Sequence, residues 1–326
     1  MSEKRIVGLD IIRGIAIAVV LFANVSDILP IVQGEVKPTF THADHIVKQF
    51  FALLIDARFI TLFTLLFGIG MGIFMNNARK KSLSPIKLMF RRLIFLLIVG
   101  IPGMILVLPY AQYALSGLIL MFLFLLPKPR YTLWISLVLI VGTTVEILIT
   151  PSSNPMFYTL LGMMAFGLYL SQSGLIYHFH EKRTWFIVTL CINSFVVALL
   201  VILKVTGLPY NWTTIEDLVT PYQAIIYFIV LMFMTQKVTI QQMLKPFEKL
   251  GKTAFTNFMT QMVLLYIVVK CFFPYDHPTP TQSLYIGLPI LVVNILATYW
   301  WLSCHRQGPL EILWRKWTYK NVLKNK

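Results

Sequence analysis

The sequence predicts an all-α fold, a polytopic bundle of about ten transmembrane helices with both termini inside. Three observations carry that expectation. Of the 326 residues, 57% are hydrophobic and only 13% are charged, whereas a soluble chain carries roughly 25% charged residues. The mean hydropathy is +0.75, and the apolar residues gather into stretches of roughly 17–25 residues, the length that crosses a bilayer as a helix. The basic residues behind the net charge of +15 collect in alternate connections between those stretches, which is the positive-inside pattern.

The predicted spans fall at about 11–29, 57–75, 93–109, 110–126, 131–149, 156–173, 185–205, 221–236, 255–273 and 284–303. The first follows Met-Ser-Glu-Lys-Arg and is too long for a signal-peptide core, so it reads as a retained helix. The run 93–126 is continuous apart from Gly100, Pro102, Gly103 and Pro109. As one helix it would be about 51 Å long, so Pro109 reads as a tight turn between two spans; one kinked helix, giving nine spans, is the alternative. The charges favour ten. Lys4, Arg5, Arg79, Lys80, Lys81, Lys87, Arg91, Arg92, Lys128, Arg130, Lys182, Arg183, Lys237, Lys245, Lys249, Lys252, Arg306, Arg315, Lys316, Lys320, Lys324 and Lys326 then share the cytoplasmic side, against Lys37, Lys48, Arg58, Lys204 and Lys270 outside. In a soluble protein such charge would suggest nucleic acid. Here it sets orientation, and no nucleic-acid partner is expected. The expected location is the bacterial inner membrane, multipass, with membrane lipids as neighbours.

Two cytoplasmic segments read as interfacial. Residues 240–250 place Ile240, Met243, Leu244, Phe247 and Leu250 at helical spacing among lysines, and 309–323 place Leu310, Leu313, Trp314 and Trp317 on one face. Both have the composition of helices lying flat in the headgroup layer. Cys191, Cys271 and Cys304 lie in or at the ends of spans with no close pair. That excludes a disulfide framework or a thiolate zinc site and predicts buried thiols. His42 and His45 have a metal-compatible spacing but few companion ligands, so no metal is expected.

Ionisable residues inside spans are costly and are functional candidates by default. Asp27, Asp56, Arg58, Glu146, Lys204 and Lys270 sit toward the outer ends of their spans, either snorkelling to the headgroups separately or lining, with Asn24, an outward pocket. Asp10 and Arg13 are neighbours at the inner end of the first span. Arg13, Asn24 and Asp27 fall within about 40° of one another at 100° per residue. That polar stripe predicts that this face of the first helix packs inside the bundle or lines a cavity. Toward the membrane centre only amides remain: Asn193, Asn257, Gln261 and Asn294, expected to bond between helices. The lack of a central acid or histidine argues against a proton-driven carrier. Gly68, Gly70 and Gly72 predict a close helix approach.

Three stretches together resemble the YeiB-like bacterial membrane proteins, whose C-terminal part is catalogued as a domain of unknown function. They are Arg5-Ile6-Val7-Gly8-Leu9-Asp10-Ile11-Ile12-Arg13-Gly14 with Asn24, then Phe59 to Gly70 followed by Arg91-Arg92-Leu93 and Tyr113-Ala114-Leu115-Ser116-Gly117, and Gly308 to Tyr319 preceded by Thr253-Ala254-Phe255-Thr256-Asn257-Phe258. The resemblance implies one transmembrane domain over 1–326, with a YeiB-like N-terminal part at 1–236 and a C-terminal part at 237–326 holding the last two spans and the amphipathic tail. It makes Asp10, Arg13, Glu311 and Arg315 candidate functional residues at the inner end. It also implies a distant similarity to transmembrane acyltransferases, which would use acyl-CoA on an extracytoplasmic acceptor. Family members carry a His and a Gly-Asp pair ahead of the Tyr-Ala-Leu-x-Gly stretch; residues 100–109 here hold neither. No catalytic residue is therefore assigned and no cofactor is expected. The favoured expectation is a non-catalytic protein assisting export of, or protection against, a small or amphipathic molecule, with an exporter complex as a partner. The acyltransferase is the alternative, and a purely structural assembly partner is a third reading.

Overall fold

Two kinds of helix face decide this structure. Along the helix Pro129–Ile149, Trp134, Val138, Val141 and Val145 are exposed, while Thr132, Ser136, Ile140, Thr143 and Ile147 are buried on the opposite side. A water-facing helix shows the reverse, apolar residues in and polar residues out. The inverted pattern is that of a helix whose outer face meets hydrocarbon.

In the computed structural model, residues 6–33, 39–103, 110–150, 156–206, 212–272 and 278–320 are described, with backbone only at 26–33, 101–103, 110, 111, 204, 212 and 213. Among them there are α-helices and one 3-10 helix, and no strand. In chain order these are α1 (Val7–Gln33), α2 (His42–Leu54), α3 (Arg58–Lys80), α4 (Pro85–Gly103), α5 (Tyr110–Leu120), the 3-10 helix Met121–Leu125, α6 (Pro129–Ile149), α7 (Met156–Gln172), α8 (Arg183–Val205), α9 (Trp212–Met234), α10 (Val238–Met243), α11 (Lys245–Lys252), α12 (Ala254–Phe272), α13 (Pro280–Cys304) and α14 (Pro309–Tyr319). Among the described residues, 7 helices are long and apolar enough to cross a membrane; they fall in α1, the run His42–Lys80 that holds α3, and α6, α8, α9, α12 and α13. The other predicted spans coincide with α4, which carries Lys87, Arg91 and Arg92, with α5 and its 3-10 extension, and with the 17-residue α7. The turn expected at Pro109 lies outside the described residues.

The helices group into two compact units, Met1–Phe59 with Val99–Pro109 and Leu231–Lys316, and Ile60–Ile98 with Tyr110–Val230 and Trp317–Lys326. In the first unit α1 is the axis. Ile11, Ile12, Ile17, Leu21 and Val25 are buried, as the polar stripe on this helix required. Its closest neighbour is α11. A Cβ on Gly14 would stand 1.8 Å from the Phe247 carbonyl oxygen, and one on Gly251 would stand 1.8 Å from that of Asp10. Only two glycines allow the backbones to cross there. The structure therefore differs from the flat interfacial helix expected at 240–250. The segment breaks at Leu244, Pro246 opens α11, and Leu250 and Gly251 are buried against α1. In the C-terminal segment Trp314 packs on Phe255, with ring centroids 5.4 Å apart.

The second unit is built around α7, buried from Thr159 to Leu168. The expected glycine contact is here: a Cβ on Gly68 of α3 would lie 2.1 Å from the Met164 carbonyl oxygen, and one on Gly167 would lie 2.1 Å from that of Leu65. Ser136 donates to the Gly162 carbonyl (2.9 Å), and Thr144 pairs with the Tyr222 hydroxyl (2.8 Å). Ile147, Leu200, Ile215, Leu218 and Val219 close the end of α6, α8 and α9. Helix α8 exposes Val188, Ile192, Phe195, Leu199 and Ile202, a lipid-facing stripe at helical spacing. Cys191 lies on this exposed side, and Cys271 and Cys304 are exposed as well. That corrects the expectation of buried thiols: a small apolar side chain is equally at home against lipid.

Gly251→Val should destabilise the first unit by about 2–3 kcal/mol, because the clash is with backbone that cannot turn aside. Gly142→Ala, where an added Cβ meets nothing within 4 Å, should be neutral or stabilising by up to about 1 kcal/mol. Thermal unfolding of the two purified variants in detergent checks the contrast.

Candidate functional site

The first unit brings together most of the singled-out residues, and it does so by closing helix ends. A helix leaves its first N–H groups without intrahelical partners. At α12 the Glu311 carboxylate fills that role, accepting from the backbone N–H of Phe255 (2.8 Å) and Thr256 (3.2 Å) and from the Thr256 hydroxyl. The favour is returned, since the Thr256 hydroxyl accepts from the Leu310 N–H (3.1 Å) in the first turn of α14. A Cβ on Gly308 would lie 2.1 Å from the Glu311 carboxylate and 2.7 Å from the Thr256 hydroxyl. The pairing of Gly308-Pro309-Leu310-Glu311 with Thr256 is thus a reciprocal clamp between two helix N-termini. Arg315, one turn on, is exposed.

The same device operates at α2, a helix that lies outside the predicted spans. Asp44 forms a capping box with Thr41 and also accepts from the Thr281 N–H (3.1 Å) in the first turn of α13. Arg58 is buried, and its guanidinium donates to the carbonyls of Ala52 and Asp56, closing the other end of α2. Thr41-His-Ala-Asp44 and Thr279-Pro280-Thr281-Gln282 are both capping-box patterns, so a signal for these ends existed in the sequence.

Among the outer candidates, Asp56 is exposed beside Arg58. Lys270 is also exposed and turns to Tyr266 of its own helix (3.5 Å). Glu146 is half-buried on α6, in the second unit. The side chains of Asp27 and Lys204 lie outside the described residues. At the start of α1, Asp10 is buried and paired with Arg13 at 3.1 Å, beside the Gly251 crossing. Among the described residues no group of three or more His, Cys, Asp and Glu has metal-site geometry, and His45 stands edge-on to Phe40.

Between these closed ends the interior is neutral and polar. Asn257 donates to the Leu250 carbonyl (3.1 Å) and the Thr253 hydroxyl (2.8 Å) and accepts from Thr298 of α13 (2.9 Å). It is the amide that ties helices together as expected. Asn193 and Asn294 instead donate back to Thr189 and Ile290 of their own helices, a local bond that an amide in a helix reaches easily. One turn beyond Asn257 lies Gln261, 0% exposed, with neither amide atom partnered among the described residues. Asn294 lies one turn from Thr298 on α13, as Gln261 lies one turn from Asn257 on α12. The Asn24 amide nitrogen of α1 is likewise buried and unpartnered among the described residues. A site of this kind offers hydrogen-bond donors and acceptors without charge.

Fold and site together define a multipass helical membrane protein whose helix ends are closed by charged side chains and whose buried polar groups on α12 and α13 are, among the described residues, uncharged. Residues 178–321 match a family described as Protein of unknown function (DUF418). The chain is 26% identical to the "Uncharacterized 39.9 kDa protein in amylase 3'region" of Bacillus acidopullulyticus, over 97% of this chain and 94% of that one. It is 25% identical to YxaH of Bacillus subtilis (strain 168), over 98% and 95%, and 24% identical to YeiB of Escherichia coli (strain K12), over 97% of each. The resemblance to YeiB-like proteins is borne out.

Glu311→Ala should cost about 2 kcal/mol, since it removes a charged acceptor from the first turn of α12. Arg315→Ala, at an exposed position, should stay within about 0.5 kcal/mol of the parent. Thermal melts of both variants against the parent protein check the difference.

Proposed function

We propose that this protein is a non-catalytic bacterial membrane protein, with both termini cytoplasmic, that takes up a small or amphipathic molecule among α1, α12 and α13 and so assists its export or protects the cell from it. The supporting observation is Gln261. Burying an amide without a partner costs about 1–3 kcal/mol, and the cost is avoidable, since leucine fills nearly the same volume. Polar groups retained at such expense inside a membrane protein mark a pathway or binding site by default. The groups present are amides and hydroxyls, which suit a hydroxyl- or amide-bearing ligand better than a free ion. The crowding of basic residues on one set of connections supports the orientation.

An acyltransferase would need a general base and acyl-CoA. The interior groups around Gln261 do not titrate near neutral pH, and Asp10 is engaged by Arg13, so the geometry favours binding over acyl transfer.

Deleting the gene should raise sensitivity to some members of a panel of amphipathic peptides and lipid-like compounds, or reduce release of an endogenous one. Gln261→Leu should reproduce the deletion while leaving the melting temperature unchanged or raised. Full protection by Gln261→Leu, or a deletion with no change in sensitivity or export, would sink the proposal. Consumption of acyl-CoA by the purified protein with any acceptor would turn it toward catalysis.

A further inference from the structure

The second unit carries a groove that the Gln261 reading does not use. Phe90, Arg91 and Ile94 of α4 line one side, and Trp317 and Lys320 line the other, enclosing about 240 Å³. The groove is built by contacts that fix its walls. The Arg91 guanidinium donates to the Lys320 main-chain carbonyl at 2.6 Å, which holds the end of α14 against α4. The Trp317 ring packs on Phe95, with centroids 6.0 Å apart, and Tyr319 stands edge-on to Phe74. The neighbouring Arg92 is occupied over the Phe74 ring, 4.8 Å from its centroid. What remains open is a mixed surface: the exposed faces of Phe90 (46%) and Trp317 (41%) next to the charges of Arg91 and Lys320.

Charge and shape point to one class of occupant. No carboxylate lies on α4 or among residues 317–320. Lys87 is exposed one turn before Arg91, adding to a positive field that nothing local neutralises. A free phosphate would use the cations and leave three apolar side chains idle; a neutral lipid would do the opposite. The geometry points to an anionic glycerophospholipid, its phosphate set between Arg91 and Lys320 and its acyl chain running along Phe90, Ile94 and Trp317. Basic residues beside apolar helix surface at a membrane face recognise anionic headgroups in this way, and a half-exposed tryptophan sits naturally at that level.

The test uses the full-length protein, delipidated in detergent and titrated with dioleoyl phosphatidylglycerol or dioleoyl phosphatidylcholine, with bound lipid counted by native mass spectrometry. Phosphatidylglycerol should be retained about tenfold better than phosphatidylcholine. At about 1 kcal/mol per basic residue near an anionic surface, Lys320→Gln should weaken retention about fivefold, and Arg91→Gln with Lys320→Gln roughly 25-fold. Because Arg91 also holds the Lys320 carbonyl, the single Lys320→Gln variant, which leaves that bond in place, is the decisive one. Equal retention of the two lipids would overturn the proposal. So would an equal loss in a Lys128→Gln, Arg130→Gln control, which would mean diffuse attraction. Displacement of the lipid by millimolar inorganic phosphate would make this a soluble-anion site and overturn the lipid assignment.

Discussion

A helix leaves its end N–H and C=O groups without intrahelical partners, and a buried one left unpaired is costly. The charged residues of the first unit answer that constraint. Glu311 and Thr256 close α12 and α14 against each other. Asp44 closes α2 and α13 together, and Arg58 closes the far end of α2. Each of these side chains belongs to one helix and serves another, so capping and tertiary packing are one interaction here. The glycine crossing of α1 and α11 depends on the same economy. With the backbones nearly in contact there, no room is left for side chains to bridge, and the helix ends carry the polar bookkeeping instead.

Most of the fold was legible from hydropathy because length and apolar content are all that a spanning helix demands. Among the described residues every predicted span falls on a helix, and α1 is largely buried. Two elements were not legible that way. Helix α2 has an exposed apolar row, Ile46, Phe50 and Leu53, yet it is short and interrupted by His45, Lys48 and Gln49, so a window average passes over it; its capping box was the usable signal. Residues 240–250 carried a convincing amphipathic pattern, but periodicity says which face is apolar and not what covers that face. Here α1 covers it, through Gly14 and Gly251, a contact that no hydrophobicity scale rewards.

The candidate site was legible in kind and not in detail. Position along the spans separated charges toward the ends from amides between them. What sequence could not assign is which charges are structural. Glu311 sits in one of the stretches that carry the resemblance to YeiB-like proteins, which invites a functional reading, yet its carboxylate accepts from backbone N–H groups. Asn257 and Gln261 are the same chemistry one turn apart, and only packing distinguishes them: Thr298 of α13 completes the first, and nothing among the described residues completes the second.

The account therefore rests on a division in which charges close helix ends and uncharged amides between α12 and α13 do the recognising. A high-resolution cryo-electron microscopy map of the protein in lipid nanodiscs tests it most directly. The account predicts non-protein density within hydrogen-bonding distance of the Gln261 amide. A map in which Gln261 is fully bonded to protein groups, with no other density beside it, would contradict it.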